Sequence, residues 1–409
     1  MSRPNVLVVV VDSLRADAVF GDRVPTPNLS RLAARGLSFR QCVAACTTTT
    51  PSFASLLTGC YPPRHGVRGL KGYRLASDVG TLGEVFSAGG YETRAEVTGV
   101  LLRHSDIFKG FGAMHHRRGS VPFFSWRDKV LARLSALSEP WLMLLHVWEA
   151  HFPYRSPPHF DDRWDKAGYE AAVTATDQGL APVLEAVPVE KTLVVLTGDH
   201  GERFPRTRLG ARVSRAGRRV RRELRLATRA PHLNMKLAAR GTGHGFGLEE
   251  GLIRVPLVFA GPGIPAGVVQ DDQVSHVDLL PTLAELCGLG APTGVDGRTI
   301  TSLMSGRPLP ERPVYMEAVG LALKAARIEG SRLPGWKLLR TDRGMERLLR
   351  VDRGRRAERR VRGARYPRMR DELRAFLDAV TSRTKATTGM TSEEEEALEE
   401  HLRALGYVE

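Results

Sequence analysis

Four cysteines in 409 residues are too few for a disulfide framework in a chain of this length. Cys42, Cys46, Cys60 and Cys287 suit a reducing compartment. Long apolar runs are lacking too: no stretch approaches the roughly 20 residues that a bilayer-spanning helix needs. The opening MSRPNVLVVVVDS leaves no room for a signal peptide, because its apolar run starts at residue 5 and reaches Asp12 almost at once. A cytoplasmic location is therefore expected. Acidic residues are outnumbered, 45 Asp and Glu against 60 Lys and Arg. The resulting net charge of +15 favours anionic partners such as phosphate or sulfate esters, nucleic acid or acidic lipid. Internal repeats are absent.

What is present is globular: 42% of residues are hydrophobic and 26% charged. The length allows one large α/β domain and a smaller subdomain. Residues 5–11 form an unbroken, mostly β-branched run, as in a central parallel strand buried on both faces. Similar runs recur at 92–97, 141–147, 192–197 and 255–260, with helical segments at 27–34, 51–57, 81–88, 169–186 and 277–286. This alternation predicts a doubly wound, mostly parallel sheet.

Ligands of such sheets sit at the carboxyl ends of the strands. Asp12 closes the first strand, Glu149 and His151 follow the strand at 141–147, and Asp199 and His200 follow the strand at 192–197. Thr49 stands just before a helix expected to begin at Pro51, where backbone N–H groups and the helix dipole favour an anion. Two carboxylates and an imidazole suit a divalent metal such as Zn²⁺ or Mn²⁺. A hydroxyl beside such an ion is a usable nucleophile.

The ordered motifs resemble the sulfatase family of the alkaline phosphatase superfamily. They are Pro4-Asn5-Val6 through Asp12-Ser13-Leu14-Arg15-Ala16-Asp17, Thr49-Thr50-Pro51-Ser52 with Leu56-Leu57-Thr58-Gly59, and Thr197-Gly198-Asp199-His200-Gly201-Glu202. His244-Gly245 with Glu249-Glu250 and Arg254-Val255-Pro256-Leu257 follows, then His276-Val277-Asp278-Leu279-Leu280-Pro281-Thr282-Leu283, and finally Leu402-Arg403-Ala404-Leu405-Gly406-Tyr407. The resemblance implies an alkaline phosphatase-like α/β fold, with a catalytic domain over 1–310 and a small antiparallel α+β subdomain over 311–409 that closes on an acidic helix. Glu311–Leu339 resembles the opening strands of that subdomain. It also implies one or two divalent ions (Zn, Mn, Ca or Mg), with Asp12, Thr49, Asp199 and His200 as ligands. His244 and His151 then hold the substrate anion or assist catalysis. A second ion on Glu149, His151 and His244 is the bimetallic alternative.

Two departures from the sulfatase pattern shape the functional expectation. Sulfatases convert a Cys (sometimes Ser) of Cys-x-Pro-x-Arg to formylglycine; here that position is Thr49, which cannot form the aldehyde, and Phe53 stands at the Arg position. Relatives with an unmodified Thr are phosphodiesterases, phosphoryl transferases or phosphonate-processing enzymes. The first-strand pair is Asp12-Ser13 rather than two Asp residues. Cys60-Tyr61-Pro62-Pro63-Arg64 fits the modification motif literally, but Leu57-Thr58-Gly59 precedes that cysteine instead of following it. The expected activity is metal-dependent hydrolysis or transfer of a phosphoryl-type ester through Thr49. Sulfate-ester hydrolysis is the alternative, and a basic nucleic-acid- or membrane-binding protein on a degenerate catalytic fold is the reading from another class. His146 reads as a core or supporting histidine, His65 and His276 as supports, and His104, His115 and His116 as surface residues.

Residues 203–240 interrupt the family pattern with thirteen Arg or Lys and a single acid, Glu223. The segment is open to three readings: a solvated loop, a lid whose arginines grip the substrate, or an amphipathic helix for membrane or nucleic acid, with Val213, Val220, Leu224 and Ala227 near one face. Its place between His200-Gly201-Glu202 and His244 favours the lid.

Overall fold

The valine run forms β1 (Asn5–Val11), every residue of which is buried. Its side chains alternate between two cores: Val6, Val8 and Val10 face one, and Leu7, Val9 and Val11 the other. A two-sided apolar strand needs cover on both faces, which is why the sequence shows a continuous run rather than alternation. The computed structural model describes residues 3–404 apart from 71, 102–104, 119–120, 155–165, 206–207, 239, 320–325, 353–357, 362–364 and 386–388.

Seven further strands complete the large sheet: β2 (Gly36–Val43), β3 (Glu92–Thr98), β4 (Ala113–Arg117), β5 (Trp141–Val147), β6 (Thr192–Gly198), β7 (Arg254–Ala260) and β8 (Val268–Ser275). Their order is β4-β3-β5-β1-β6-β7-β2-β8. Helix Thr49–Thr58 packs through Phe53, Leu56 and Leu57 onto the Val6, Val8 and Val10 face. Helices Pro27–Ala34, Phe123–Ser135 and Lys166–Glu185 supply Leu29, Phe123 and Ala172 to the opposite core. The expected doubly wound architecture is thus present, with one departure from parallel order. Strand β7 runs antiparallel to both β6 and β2. The chain re-enters the sheet at the carboxyl end of β6, where Gly201 N–H donates to Leu252 O at 2.7 Å, so β7 can only run back.

The helix carrying Thr49 begins earlier than its proline suggests. It spans Thr49–Thr58 with Thr48 as N-cap, and Pro51 sits inside the first turn. A first-turn N–H has no acceptor within its own helix, so proline costs little there.

A second, antiparallel sheet follows, of β9 (Val314–Val319), β10 (Arg327–Leu333), β11 (Trp336–Thr341), β12 (Glu346–Val351) and β13 (Glu358–Arg360). Helix Pro367–Thr381 covers it, with Leu373 packed among Leu333, Leu338 and Leu348. The acidic helix Ser392–Ala404 docks through buried Leu398 and an ion pair of Glu394 with Arg74. The side chain of Leu402, and Leu405, lie outside the described residues. Buried charges stitch the two sheets together. Glu250 meets Arg332 at 2.9 Å and Lys337 at 3.1 Å, and Lys337 also donates to Leu248 O at 2.6 Å and Glu358 at 2.7 Å. Burial alone would raise the Glu250 pKa, yet these cations hold it down to about 2.

Candidate active site

Asp12 is the first residue beyond β1, and its N–H donates to Val147 O at 2.9 Å at the end of the neighbouring strand. Ser13 then turns through a positive φ of 61°, a strained conformation for a residue with a Cβ. Tyr169 holds that turn, its hydroxyl donating to Ser13 O at 2.9 Å and accepting from Arg15 N–H at 3.0 Å. Asp199 leaves β6 in the next register. Its Oδ1 accepts from Ser13 N–H at 2.9 Å and from His200 N–H at 2.8 Å. Gly198 is required here, because a Cβ would meet Leu14 O at 2.4 Å.

These turns bring the expected residues together. Thr49 Oγ1 lies 3.3 Å from Asp12 Oδ2 and 3.3 Å from His200 Nε2. His200 Nε2 lies 3.3 Å from Asp199 Oδ2 and 3.9 Å from Asp12 Oδ1. The other ring nitrogen, His200 Nδ1, sits 3.0 Å from Gly201 O. That contact requires the proton on Nδ1 and leaves the Nε2 lone pair facing the cluster. Asp12, Asp199 and His200 each offer one ligand atom, all within 4.8 Å of one another.

The donor set fits a divalent cation. Asp199 Oδ2 is buried and has no hydrogen-bond partner among the described residues. Burial and the Asp12 charge raise the Asp199 pKa. Burial also opposes ionisation of Asp12, but His151, His146 and His200 hold its carboxylate well below the usual range. Two apposed, fully buried carboxylates and a lone pair call for a positive charge between them.

A second cluster adjoins the first. The His244 ring lies 4.3 Å from that of His200 and 5.0 Å from that of His151, centroid to centroid. Glu202 Oε2 is 3.5 Å from His244 Nδ1. Burial disfavours a charged His244, yet Glu202 outweighs it and raises the pKa. His151 goes the other way, to about 4, because burial dominates. The two neighbouring rings are thus biased in opposite directions, His244 toward its protonated and His151 toward its neutral form, and 9% of the His244 side chain is exposed.

Sequence reasoning quoted Glu202 only as the last letter of a motif and missed its position. The signal was an acid two residues after a ligand-type histidine. Glu149, by contrast, is corrected as a candidate metal ligand. Its Oε1 accepts from Arg117 at 2.6 Å and Phe123 N–H at 2.7 Å, and its Oε2 from Arg117 at 2.9 Å and Trp148 N–H at 3.1 Å. Both oxygens are committed to donors, so the bimetallic set Glu149, His151 and His244 is not formed.

A Sulfatase family model matches residues 4–289, most of the chain and all of the site described so far. The chain belongs to the sulfatase family. An ulvan-active sulfatase from Formosa agariphila is 25% identical, with 76% of this chain covered and 66% of the relative. The chain therefore spans just under two thirds of that relative. In fold it is similar to a 2-O GAG sulfatase (TM-score 0.70, 21% identity, 93% of this chain and 92% of the other). It is also similar to a phosphonate monoester hydrolase of Agrobacterium radiobacter (TM-score 0.72, 16% identity, 94% and 96%).

Within this sulfatase-family fold, Cys60 lies beyond the far end of helix Thr49–Thr58, roughly 15 Å along the axis from Thr49. Its Sγ approaches Thr58 O and Gly294 O at 3.6 Å, and burial pushes its thiol up to about 11. Thr49, not Cys60, occupies the cluster. Three further histidines lie around the cluster and the helix that carries Thr49. His146 Nε2 lies 3.5 Å from Asp12 Oδ2. His276 bridges Ser52 (3.3 Å) and Thr197 (3.4 Å), and His65 contacts Ser55 at 3.0 Å. His115 and His116 lie on edge strand β4, while His104 lies outside the described residues.

Proposed function

We propose that the chain is a metal-dependent hydrolase or transferase of phosphoryl-type esters, with Thr49 as nucleophile. The observation that carries this reading is the Thr49 hydroxyl, 3.3 Å from both Asp12 and His200 at the first turn of a ten-residue helix. The neighbouring Thr48 and Thr50 hydroxyls are buried and have no partner among the described residues. Together with the helix N-terminus they form a cradle suited to the non-bridging oxygens of an anion. A divalent cation held by Asp12, Asp199 and His200 would supply Lewis-acid charge neutralisation and ease deprotonation of a nearby hydroxyl.

The chain's own residues account for the remaining steps. The Thr49 hydroxyl passes its proton to its hydrogen-bond acceptor, Asp12 Oδ2, as Thr49 Oγ forms a bond to phosphorus and the bond to the ester oxygen breaks on the opposite side. The leaving alkoxide takes a proton from His244, whose protonated form Glu202 favours. Water, or an acceptor alcohol, then attacks the phospho-threonine and gives its proton to the now neutral His244, while the departing Thr49 oxygen takes its proton back from Asp12. Glu202→Gln is expected to lower kcat/KM by about ten- to hundredfold. Loss of the raising partner lowers the His244 pKa, so activity should fade at lower pH than in the wild type. A pH–rate profile with an unmoved alkaline limb would remove His244 as the acid.

The substrate class is tested with metal-reconstituted enzyme on nitrophenyl phosphate, bis-nitrophenyl phosphate, nitrophenyl phenylphosphonate and nitrophenyl sulfate. Turnover of a phosphorus ester well above the sulfate is expected. Turnover of sulfate alone would overturn the phosphoryl reading in favour of sulfate-ester hydrolysis.

A further inference from the structure

The basic insert is not a loop. It folds as helices Arg208–Glu223, Leu226–Arg229 and Pro231–Ala238. The long helix is mounted with its polar side inward. Ser214 Oγ accepts from Thr242 N–H at 2.8 Å, Arg218 donates to Thr242 O at 2.8 Å, and the Arg218 guanidinium lies 4.2 Å above the Phe152 ring. The opposite side carries Leu209, Val213 and Val220, with Leu224 on the turn that prolongs the helix (its N–H reaches Val220 O at 2.9 Å). Spacings of four, seven and four residues place these four within an arc of roughly 60° on an α-helix. Their exposures are 71%, 62%, 49% and 52%. Leu233 and Leu237, on the adjoining helix, are also exposed. Ala227, assigned to this stripe from sequence, has a side chain outside the described residues.

Apolar side chains turned outward on a helix that anchors itself by arginine invert the usual arrangement of a surface helix. We propose that this face docks the protein on an anionic lipid surface, the aliphatic stripe entering the headgroup boundary and the flanking arginines meeting lipid phosphates. Exposed Arg212 and Arg219 flank the stripe, and the 203–240 segment carries thirteen basic residues to one acid. The only acid, Glu223, is paired with Arg219 at 2.7 Å. Two other occupants fit less well. Single-stranded nucleic acid asks for aromatic platforms, but the segment's aromatic, Phe204, is turned inward onto Tyr169, 5.0 Å between centroids. A second copy would set one arginine-flanked stripe against another, with like charges opposed. The ends of the segment are tied beside the site, where Arg203 and Gly243 form a bridge next to Glu202 and His244. Docking therefore brings the site toward the bilayer surface, whichever ester it cleaves.

Cosedimentation of the full chain with vesicles tests this. Binding to phosphatidylcholine vesicles containing phosphatidylglycerol should be at least tenfold tighter than to phosphatidylcholine alone. The combined change Leu209→Ser, Val213→Ser, Val220→Ser and Leu224→Ser should weaken it at least tenfold without altering the thermal melt. Arg212→Gln with Arg219→Gln should do the same, at roughly fivefold for each arginine. Undiminished binding by the serine variant would overturn the proposal, as would equal affinity for both vesicle types. So would absence of vesicle binding combined with tight binding to an RNA oligonucleotide, or a serine-sensitive dimer in sedimentation.

Discussion

Thr49→Ala is expected to lose turnover by a factor on the order of 10⁴ or more while the protein stays folded. The size follows from the role: without the hydroxyl no covalent intermediate forms, and what survives is binding and charge neutralisation alone. The stability cost should be small. Thr49 makes two long contacts of 3.3 Å, and alanine is a good residue in a helix's first turn. Losing such weak bonds costs about 1 kcal/mol or less, a change of a few degrees in Tm for a chain of this size. Cys60→Ala is the matched control and should turn over normally, since Cys60 lies at the other end of the same helix. The pair of variants separates the alternatives. Activity that survives Thr49→Ala but dies with Cys60→Ala would move the chemistry to the cysteine.

Asp12, Asp199 and His200 were legible because they interrupt apolar runs at a strand's carboxyl end, where a doubly wound sheet exposes its chain to ligands. Asp12 follows seven buried residues, and Asp199 and His200 follow seven more. Periodicity does not carry strand direction, so β7 reads as a buried strand whether it runs forward or back. Its reversal comes from the route of the chain past Gly201, where a Cβ would meet Gly251 O at 2.1 Å. Glu149 was misread for a related reason. Its partner Arg117 closes β4, an edge strand of sequence Ala-Met-His-His-Arg, which gives no apolar signal. Without β4 the sequence shows a carboxylate near the site, but not the guanidinium that claims both its oxygens. The insert showed a helical stripe of Val213, Val220 and Leu224, but a segment so rich in arginine does not reveal from sequence which of its faces meets the body.

Asp199→Asn should separate the stability of the metal-free protein from its response to a cation, in opposite directions. In the wild type, Asp199 Oδ1 accepts two backbone N–H groups, whereas Oδ2 has no hydrogen-bond partner among the described residues and lies 3.3 Å from His200 Nε2. An asparagine amide oxygen keeps both backbone bonds. Its NH₂ replaces the orphaned oxygen and can donate to the Nε2 lone pair. One of two apposed buried charges disappears, and the raised Asp199 pKa shows that burial and Asp12 already oppose that charge. Without metal the variant should therefore melt no lower than the wild type. With a cation at about a thousandfold excess over its Kd the wild type should gain about 4 kcal/mol; a loss of affinity of about two orders of magnitude leaves about 1.4 kcal/mol at the same concentration. Thermal melts with chelator, Mn²⁺ and Zn²⁺ measure both effects. If the variant gains as much from the cation as the wild type, Asp199 is not a ligand. If it melts well below the wild type in chelator, the two carboxylates are not in conflict, and the argument that they require a cation between them fails.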